Sequence, residues 1–208
     1  MDSRIIIKLN NFSNLKNIII DVKKGILNTS SKKTIHVLYN NKLKFDIKNK
    51  DGENALMNAV WDKNTELSHL LIDIGCHTDS YNENLSSLLE LSVYNTELAR
   101  KLLKYININV RGSHKYTVLM SAVDEPNLEV VKLFLDNGAD PNATDKFGQT
   151  ALIRVCSKYY DLNSKELDSN IRYPIVQLLL ERGANPNIKN EDGETALKNL
   201  SSRDEKTK

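Results

Sequence analysis

A block of about 33 residues recurs along this sequence, and this periodicity is the feature that most constrains its fold. Leu56 and Leu89 occupy equivalent places 33 residues apart, and Leu119 and Leu152 repeat the same interval. The step from Leu89 to Leu119 is 30 residues, and the step from Leu152 to Leu197 is 45. A fixed period of about 20 to 50 residues is typical of stacked repeats, in which one unit cannot bury its apolar face alone.

The best-preserved copy, residues 113–145, carries the signals for two helices joined by a turn. Thr117 is placed to cap the first helix, whose apolar residues recur at helical spacing. Pro126 follows, and proline cannot continue a helix because it lacks the backbone N–H. Residues 128–135 then predict a second apolar helix, which Gly138 ends because glycine adopts the left-handed terminal conformation most easily.

Two short motifs of this copy carry a family resemblance. Residues 117–122 read Thr-Val-Leu-Met-Ser-Ala in place of Thr-Pro-Leu-His-x-Ala, and residues 137–142 read Asn-Gly-Ala-Asp-Pro-Asn. On these motifs the sequence resembles the ankyrin-repeat family. The resemblance implies an all-α fold, a solenoid of stacked helix-turn-helix units with short β-hairpin-like loops.

Applied along the chain, the period predicts one continuous solenoid domain with some irregular members. The predicted boundaries are a degenerate N-terminal repeat or cap at 1–48, repeats at 49–81, 82–112, 113–145 and 146–190, and a half repeat with a charged tail at 191–208. The repeat at 82–112 is eroded and three residues short, so we expect a tighter inter-helix turn and helix exit. The repeat at 146–190 carries 45 − 33 = 12 extra residues, which we place between its two helices at 160–171.

The composition is that of an ordinary soluble protein, and its small net charge gives no strong attraction to nucleic acid or to a membrane. The chain has 29 basic and 27 acidic side chains, a net charge of +2, so charge alone favours neither nucleic acid nor a membrane. Cys76 and Cys156 fall where the repeat has small apolar residues, which predicts buried free thiols in a reducing compartment. The N-terminus lacks the apolar core of a signal peptide, and no apolar run is long enough to span a membrane. We therefore expect a cytoplasmic or nuclear protein, and the Asn-, Lys- and Ile-rich composition favours a viral or intracellular-parasite origin in a host cell.

The sequence predicts no catalysis, no metal and no cofactor. It has no Gly-x-Ser-x-Gly elbow, no phosphate-binding loop and no Cys-x-x-Cys pair. Cys76 and His77 beside Asp79 come nearest to a metal site. The repeat pattern instead explains them as a variant of the loop that reads Gly-Ala-Asp-Pro-Asn in the best-preserved copy. Asp124 and Glu125 are interpreted as a solvated turn rather than an acid–base pair.

The resemblance also implies where a partner would bind, namely at the hairpin tips and on the concave face formed by the first helices. Aromatic side chains at such places are typical binding anchors, although Trp61 and Tyr94 could instead pack on each other or on adjacent loops. The predicted partner-binding residues are Trp61, Asp62, Tyr94, Tyr116, Asp124, Phe147, Arg154 and Lys158.

Two functions from different classes follow from this surface. The first is a non-catalytic protein–protein interaction module, an adaptor or a decoy, that works as a monomer with a protein partner. The alternative is a nucleic-acid-associated protein that uses surface lysines, and a minor third is an enzyme fragment whose catalytic domain has been lost. We expect no nucleic acid and no membrane among the partners of the first kind of protein.

Overall fold

The computed structural model describes residues 53–76, 88–157 and 165–199, without the side chains of 165–171. Its contacts divide the chain into two compact units, residues 1–83 and 84–208, which are described separately below. The expected N-terminal repeat at 1–48 and the charged end of the chain lie outside the described residues. The expectation of one continuous domain therefore stays a prediction.

The first unit contributes one helix pair, α1 (Ala55–Trp61) and α2 (Thr65–Asp73). Asparagine side chains begin both helices: the Asn54 oxygen accepts a hydrogen bond from the N–H of Met57 at 2.9 Å, and an equivalent bond begins α2. Such a bond satisfies a backbone donor that the first helical turn leaves without a partner. The apolar faces of the two helices pack on each other, with Leu56 and Leu71 fully buried.

The second unit is a series of helix pairs separated by hairpin loops. Its elements are α3 (Leu88–Leu91), α4 (Thr96–Leu102), a 3-10 turn (Ser113–Lys115), α5 (Val118–Asp124), α6 (Leu128–Asp136), α7 (Ala151–Ser157) and α8 (Lys165–Glu181), with a further helical turn at 196–199. The described residues contain an isolated antiparallel bridge between Arg111 and Thr117 but no strand. The prediction of an all-α fold is confirmed.

Equivalent residues cap equivalent helices, which is why the same local structure recurs. Thr117 and Thr150 accept the N–H three residues later at the start of α5 and α7, at 3.2 Å and 3.1 Å. Asn95 and Asn127 do the same for α4 and α6. The predicted cap at Thr117 is thus present. Successive repeats of the second unit then pack through buried side chains such as Phe134, which is fully enclosed between helices.

The eroded repeat is shortened in its helices, not in the inter-helix turn and helix exit where the sequence predicted it. From Leu89 to the capping Asn95 there are 95 − 89 = 6 positions, whereas from Leu119 to the capping Asn127 there are 127 − 119 = 8. Helix α3 ends at Leu91, whereas its counterpart α5 continues to Asp124, so the missing positions belong to the first helix of the repeat. The second helix is shorter as well, since α4 has 7 residues and α6 has 9.

The insertion is partly helical rather than a plain linker between helices. Helix α8 has 17 residues, whereas its counterpart α6 has 9, so about eight residues extend its N-terminal end. Residues 165–171 read Lys-Glu-Leu-Asp-Ser-Asn-Ile and contain no glycine or proline to stop the helix. Pro174, near the point where the shorter helix would begin, consequently lies inside α8. Residues 158–164 lie outside the described part of the chain.

A pair of asparagines links the loops that follow the second helices of consecutive repeats. The Asn109 side chain donates to the carbonyl oxygen of Gly138 and accepts from the N–H of Asp140, both at 3.0 Å. Asn142 makes the same two bonds to Gly183 and Asn185, at 2.9 Å and 2.7 Å. Each asparagine satisfies two backbone groups of the next repeat, which fixes the spacing of consecutive loops.

Candidate functional site

The hairpin at 145–149 is held rigid by one buried carboxylate. One oxygen of Asp145 accepts the N–H groups of Phe147 at 2.8 Å and of Gln149 at 2.9 Å. The backbone N–H of Asp145 also donates to the Gln149 carbonyl at 3.0 Å. Because these bonds define the turn, the Phe147 ring projects from a fixed support and is 52% exposed.

Backbone hydrogen bonds connect this hairpin to the ones before and after it. The N–H of Lys146 donates to the carbonyl of His114 at 2.8 Å, and the N–H of Glu191 donates to the carbonyl of Phe147 at 3.0 Å. Gly148 adopts φ +72°, and a Cβ there would lie 3.0 Å from the backbone of the following hairpin. Only glycine combines this conformation with such close approach.

The preceding hairpin contains a compact, strained turn. His114 and Lys115 both have positive φ, at 58° and 62°, a region that side-chain-bearing residues rarely occupy. The turn is closed by the N–H of Gly112, which donates to the carbonyl of Tyr116 at 2.8 Å. A Cβ at Gly112 would collide with the Glu90 carboxylate, so the glycine lets Glu90 of α3 lie against this hairpin.

Four side chains from four segments form what we call the hairpin cluster: Tyr116, Asp124, Asp145 and Arg154. The hydroxyl of Tyr116 donates a hydrogen bond to Asp124 at the end of α5. Arg154 of α7 donates to the same Asp124 oxygen at 2.7 Å and lies 3.6 Å from Asp145. Its guanidinium also stacks 4.7 Å from the centre of the Tyr116 ring. One arginine thus ties two repeats and a hairpin together.

Burial sets the electrostatics of the hairpin cluster. Burial of the phenol, and then its hydrogen bond to Asp124, raise the pKa of Tyr116 well above its ordinary value. Burial by itself lowers the pKa of Arg154, but the hydrogen bond and charge of Asp124 outweigh it, and the pKa is raised. Both groups therefore keep their protons at neutral pH. The Nε atom of Arg154 is buried and has no hydrogen-bond partner in the described structure.

An open cavity of about 300 Å³ lies between these hairpins and the cluster. We call it the hairpin cavity, and its walls are Glu90, Ser113, His114, Tyr116, Asp145, Phe147 and Arg154. Three consecutive repeats contribute to it. Hydrogen bonds hold Tyr116, Asp145 and Arg154 in place, and the Phe147 ring at the edge is exposed, which is the arrangement of a preformed binding site.

The structure brings four of the predicted residues together and places others elsewhere. Tyr116, Phe147 and Arg154 line the hairpin cavity, with Asp124 directly behind them. Trp61 and Asp62 end α1 in the first unit, where both are exposed and Trp61 is 62% accessible. Lys158 lies outside the described residues.

Two interpretations of single residues were wrong. Asp124 is not part of a solvated turn, because its side chain is 19% exposed and holds both Tyr116 and Arg154. Tyr94 is half-buried in the turn after α3, not on a first helix, because α3 ends at Leu91. Tyr116 is a half-buried, hydrogen-bonded wall of the cavity, and its contact with a partner stays a prediction.

Four wall residues are not in the predicted partner-binding set: Glu90, Ser113, His114 and Asp145. Asp145 carries a usable signal, since an Asp four residues before Gln149, with Gly148 between them, is typical of a side chain that caps a tight turn. Glu90 carries none, because its position depends on how closely α3 approaches Gly112.

Cys76 and Cys156 are both buried, as the sequence predicted, and neither forms a disulfide bond. In the part of the chain that the structure describes, no three His, Cys, Asp or Glu side chains are grouped as a metal ion would need. His77 and Asp79 lie outside that part. None of the described helices is long and apolar enough to cross a lipid bilayer.

Helix pairs stacked through a shared apolar core and joined by hydrogen-bonded hairpins define a helical-repeat protein. The particular family follows from the comparison with family models: residues 97–155 match the model of ankyrin repeats in many copies, and residues 147–191 match that of the ankyrin repeat. The chain is therefore an ankyrin-repeat protein. Ankyrin repeats are generally modules of protein–protein interaction, and these matches indicate no catalytic family.

Its similarities to known proteins agree with this assignment. The chain is 30% identical over 142 residues to an ankyrin repeat protein of fowlpox virus, covering 66% of this chain and 23% of that protein. It is 30% identical over 109 residues to an ankyrin repeat-containing protein of Treponema pallidum, covering 50% and 37%. A segment of 44 residues is 43% identical to an ankyrin repeat protein of Acanthamoeba polyphaga mimivirus, covering 21% and 5%. The chain thus spans well under half the length of these relatives.

Solved structures show the same fold. The chain superimposes on the crystal structure of an ankyrin repeat protein with a TM-score of 0.72 and 26% identity, over 83% of this chain and 86% of the other. An ankyrin repeat domain from Acinetobacter baumannii gives a TM-score of 0.76 with 22% identity, over 91% and 92%. At this level of identity the second likeness concerns the fold alone.

Proposed function

We propose that this chain is a non-catalytic adaptor or decoy that holds a protein partner at the hairpin cavity. The observation that carries the proposal is Phe147, a large ring that is 52% exposed at the rim of a preformed cavity. Exposed aromatic side chains beside well-formed pockets are typical anchors of protein interfaces. Because Asp145 and the neighbouring hairpins already fix the turn, a partner would lose little binding energy in ordering it.

A protein interface is larger than the hairpin cavity alone. A stable interface buries about 800 Å² on each partner, which is more than one cavity provides. Trp61 and Asp62 of the first unit are exposed, and their contact with a partner, like that of Lys158, stays a prediction.

The proposal is tested by comparing capture of protein fragments by the native chain and by the variant Phe147→Ala. The immobilised chains are incubated with a displayed library of fragments from candidate host proteomes, and bound fragments are counted. We expect a set of fragments that the native chain retains and the variant loses by at least about tenfold, as for a binding hot spot. Thermal unfolding should change little, because exposed side chains contribute within about 0.5 kcal/mol.

The matched control is Tyr173→Ala, which removes another exposed aromatic side chain. Tyr173 is 70% exposed on α8 and does not line the hairpin cavity. This variant should retain the same fragments as the native chain. Equal capture by Phe147→Ala and the native chain would refute the proposal.

A further inference from the structure

The charges in the walls of the hairpin cavity favour a positively charged occupant. Its seven lining residues include two carboxylates, Glu90 and Asp145, but one guanidinium, Arg154. That guanidinium is already engaged by Asp124, a third carboxylate directly behind the wall. A carboxylate entering the cavity would add to an excess of negative charge, whereas a cation would reduce it.

The aromatic rim of the cavity already carries a cation supplied by the chain itself. The ammonium group of Lys146 lies 4.7 Å from the centre of the Phe147 ring, a distance at which a cation is attracted to the ring face. Lys146 is exposed, so its side chain can leave the ring at little cost. The free protein thus shows the kind of group that this ring accepts, held in a weak and replaceable contact.

The dimensions of the cavity admit a single long side chain. Its volume of about 300 Å³ is at the lower end of the range of about 300 to 1,000 Å³ that holds small-molecule ligands. Both lysine and arginine have an apolar stem and a charged end. The stem suits Phe147 and Tyr116, and the charged end suits the carboxylate of Glu90, while the buried Asp145 adds negative charge behind it.

We infer that the hairpin cavity binds a lysine or arginine side chain presented by an exposed segment of the partner protein. The inference rests on the proposed function, since it names the partner chemistry for the same site. The incoming cation displaces Lys146 from Phe147 and faces Glu90 and Asp145. Arg154 remains bound to Asp124 and serves as a wall.

The inference is tested with four blocked pentapeptides that differ only in a central arginine, lysine, glutamine or glutamate. Binding is followed through the NMR shifts of the backbone amides of His114 and Phe147, which report millimolar affinities. We expect the arginine and lysine peptides to bind more tightly than the glutamine peptide, and the glutamate peptide to bind least. Raising the salt concentration should weaken the first two selectively, because salt screens charge interactions.

Two variants change the charge of the site in opposite directions. Glu90→Gln keeps the shape of the side chain and removes one negative charge, so the arginine peptide should bind about threefold to fivefold more weakly. Lys146→Gln removes the competing cation from an exposed position, so the same peptide should bind about twofold to threefold more tightly. Thermal unfolding of both variants verifies that they are folded. If Glu90→Gln does not fold, Lys146→Gln alone still tests the inference.

A glutamate peptide that binds as tightly as the arginine peptide, or weaker binding of arginine by Lys146→Gln, would overturn the inference. So would the absence of any shift at His114 and Phe147 with the arginine peptide. If fragment capture still depends on Phe147 in those cases, the proposed function stands and the basic occupant alone is refuted. If capture does not depend on Phe147, the proposed function itself has failed.

Discussion

Two clusters of charged side chains in the second unit use similar chemistry in different surroundings. The hairpin cluster joins Arg154 to Asp124 and Asp145, with side chains 25%, 19% and 3% exposed. What we call the helix-end cluster joins Asp136 to Lys132 and Arg182, with side chains 41%, 59% and 33% exposed. Both link successive repeats, but only the first is largely removed from water.

The comparison shows that burial, not the number of charges, decides what a charged cluster does. In the helix-end cluster the hydrogen bond from Lys132, followed by that from Arg182, lowers the pKa of Asp136, yet water screens these exposed charges. In the hairpin cluster, loss of one partner leaves a buried charge without compensation, so the cluster fixes its members firmly in place. A rigid wall for a binding cavity needs the second kind of cluster.

The largest predicted effect comes from breaking the hairpin cluster at its centre. Asp124→Ala leaves the guanidinium of Arg154 and the hydroxyl of Tyr116 without their shared acceptor. Because hydrogen bonds to charged groups are costly to remove when buried, we expect the free energy of unfolding to fall by about 2 to 3 kcal/mol. Urea unfolding at pH 7 measures it, and a loss below about 0.5 kcal/mol would contradict the contrast between the clusters.

Alkaline pH reduces the stability that the same cluster provides, without a mutation of Asp124. The pKa of Tyr116 is raised in the folded state, so the folded state retains a proton that the unfolded state releases above about pH 10. Stability from this group is complete below pH 10 and is lost as pH rises towards the raised pKa. The loss is at most about 1.4 kcal/mol per pH unit, and solvent screening of the half-buried phenol reduces it.

Tyr116→Phe lacks this ionisation, so it provides the reference for the measurement. The stability difference between the native chain and this variant should stay constant from pH 7 to about 9.5 and then shift in favour of the variant. Chemical unfolding at a series of pH values gives both curves. Parallel curves up to pH 11 would show that Tyr116 titrates normally.

The smallest effect is expected in the helix-end cluster. Asp136→Ala should move the urea unfolding midpoint only slightly at low salt and not measurably at about 1 M NaCl, because water and salt screen its exposed ion pairs. The effect of Asp124→Ala should survive the same salt. A salt-resistant loss for Asp136→Ala as large as that for Asp124→Ala would mean that exposure does not separate the two clusters.

Much of the fold follows from local sequence rules. The period of 33 could be counted directly, and the capping Thr117 could be predicted because it depends on residues that are neighbours in the chain. The shortening before Asn95 could be counted too, but it lies in α3 and not in the turn where the sequence placed it. Part of the site could also be predicted from the sequence. Phe147 lies at a hairpin tip, and the side chain at this position is not needed for the repeat core. The prediction failed for Asp124, which the sequence shows beside Glu125 but not opposite Arg154, 30 residues later.

The sequence by itself determined the unit of this protein: two capped helices, a hairpin, and a period that requires copies to stack. Helical spacing and turn chemistry act within a few residues, so the sequence of each copy is enough to predict its local structure. Only the tertiary structure decided which side chains meet across copies, because Glu90, Asp124 and Arg154 acquire their surroundings when three repeats pack together. Stacking removes water from between them, and that loss of water turns ordinary surface charges into the fixed walls of a cavity.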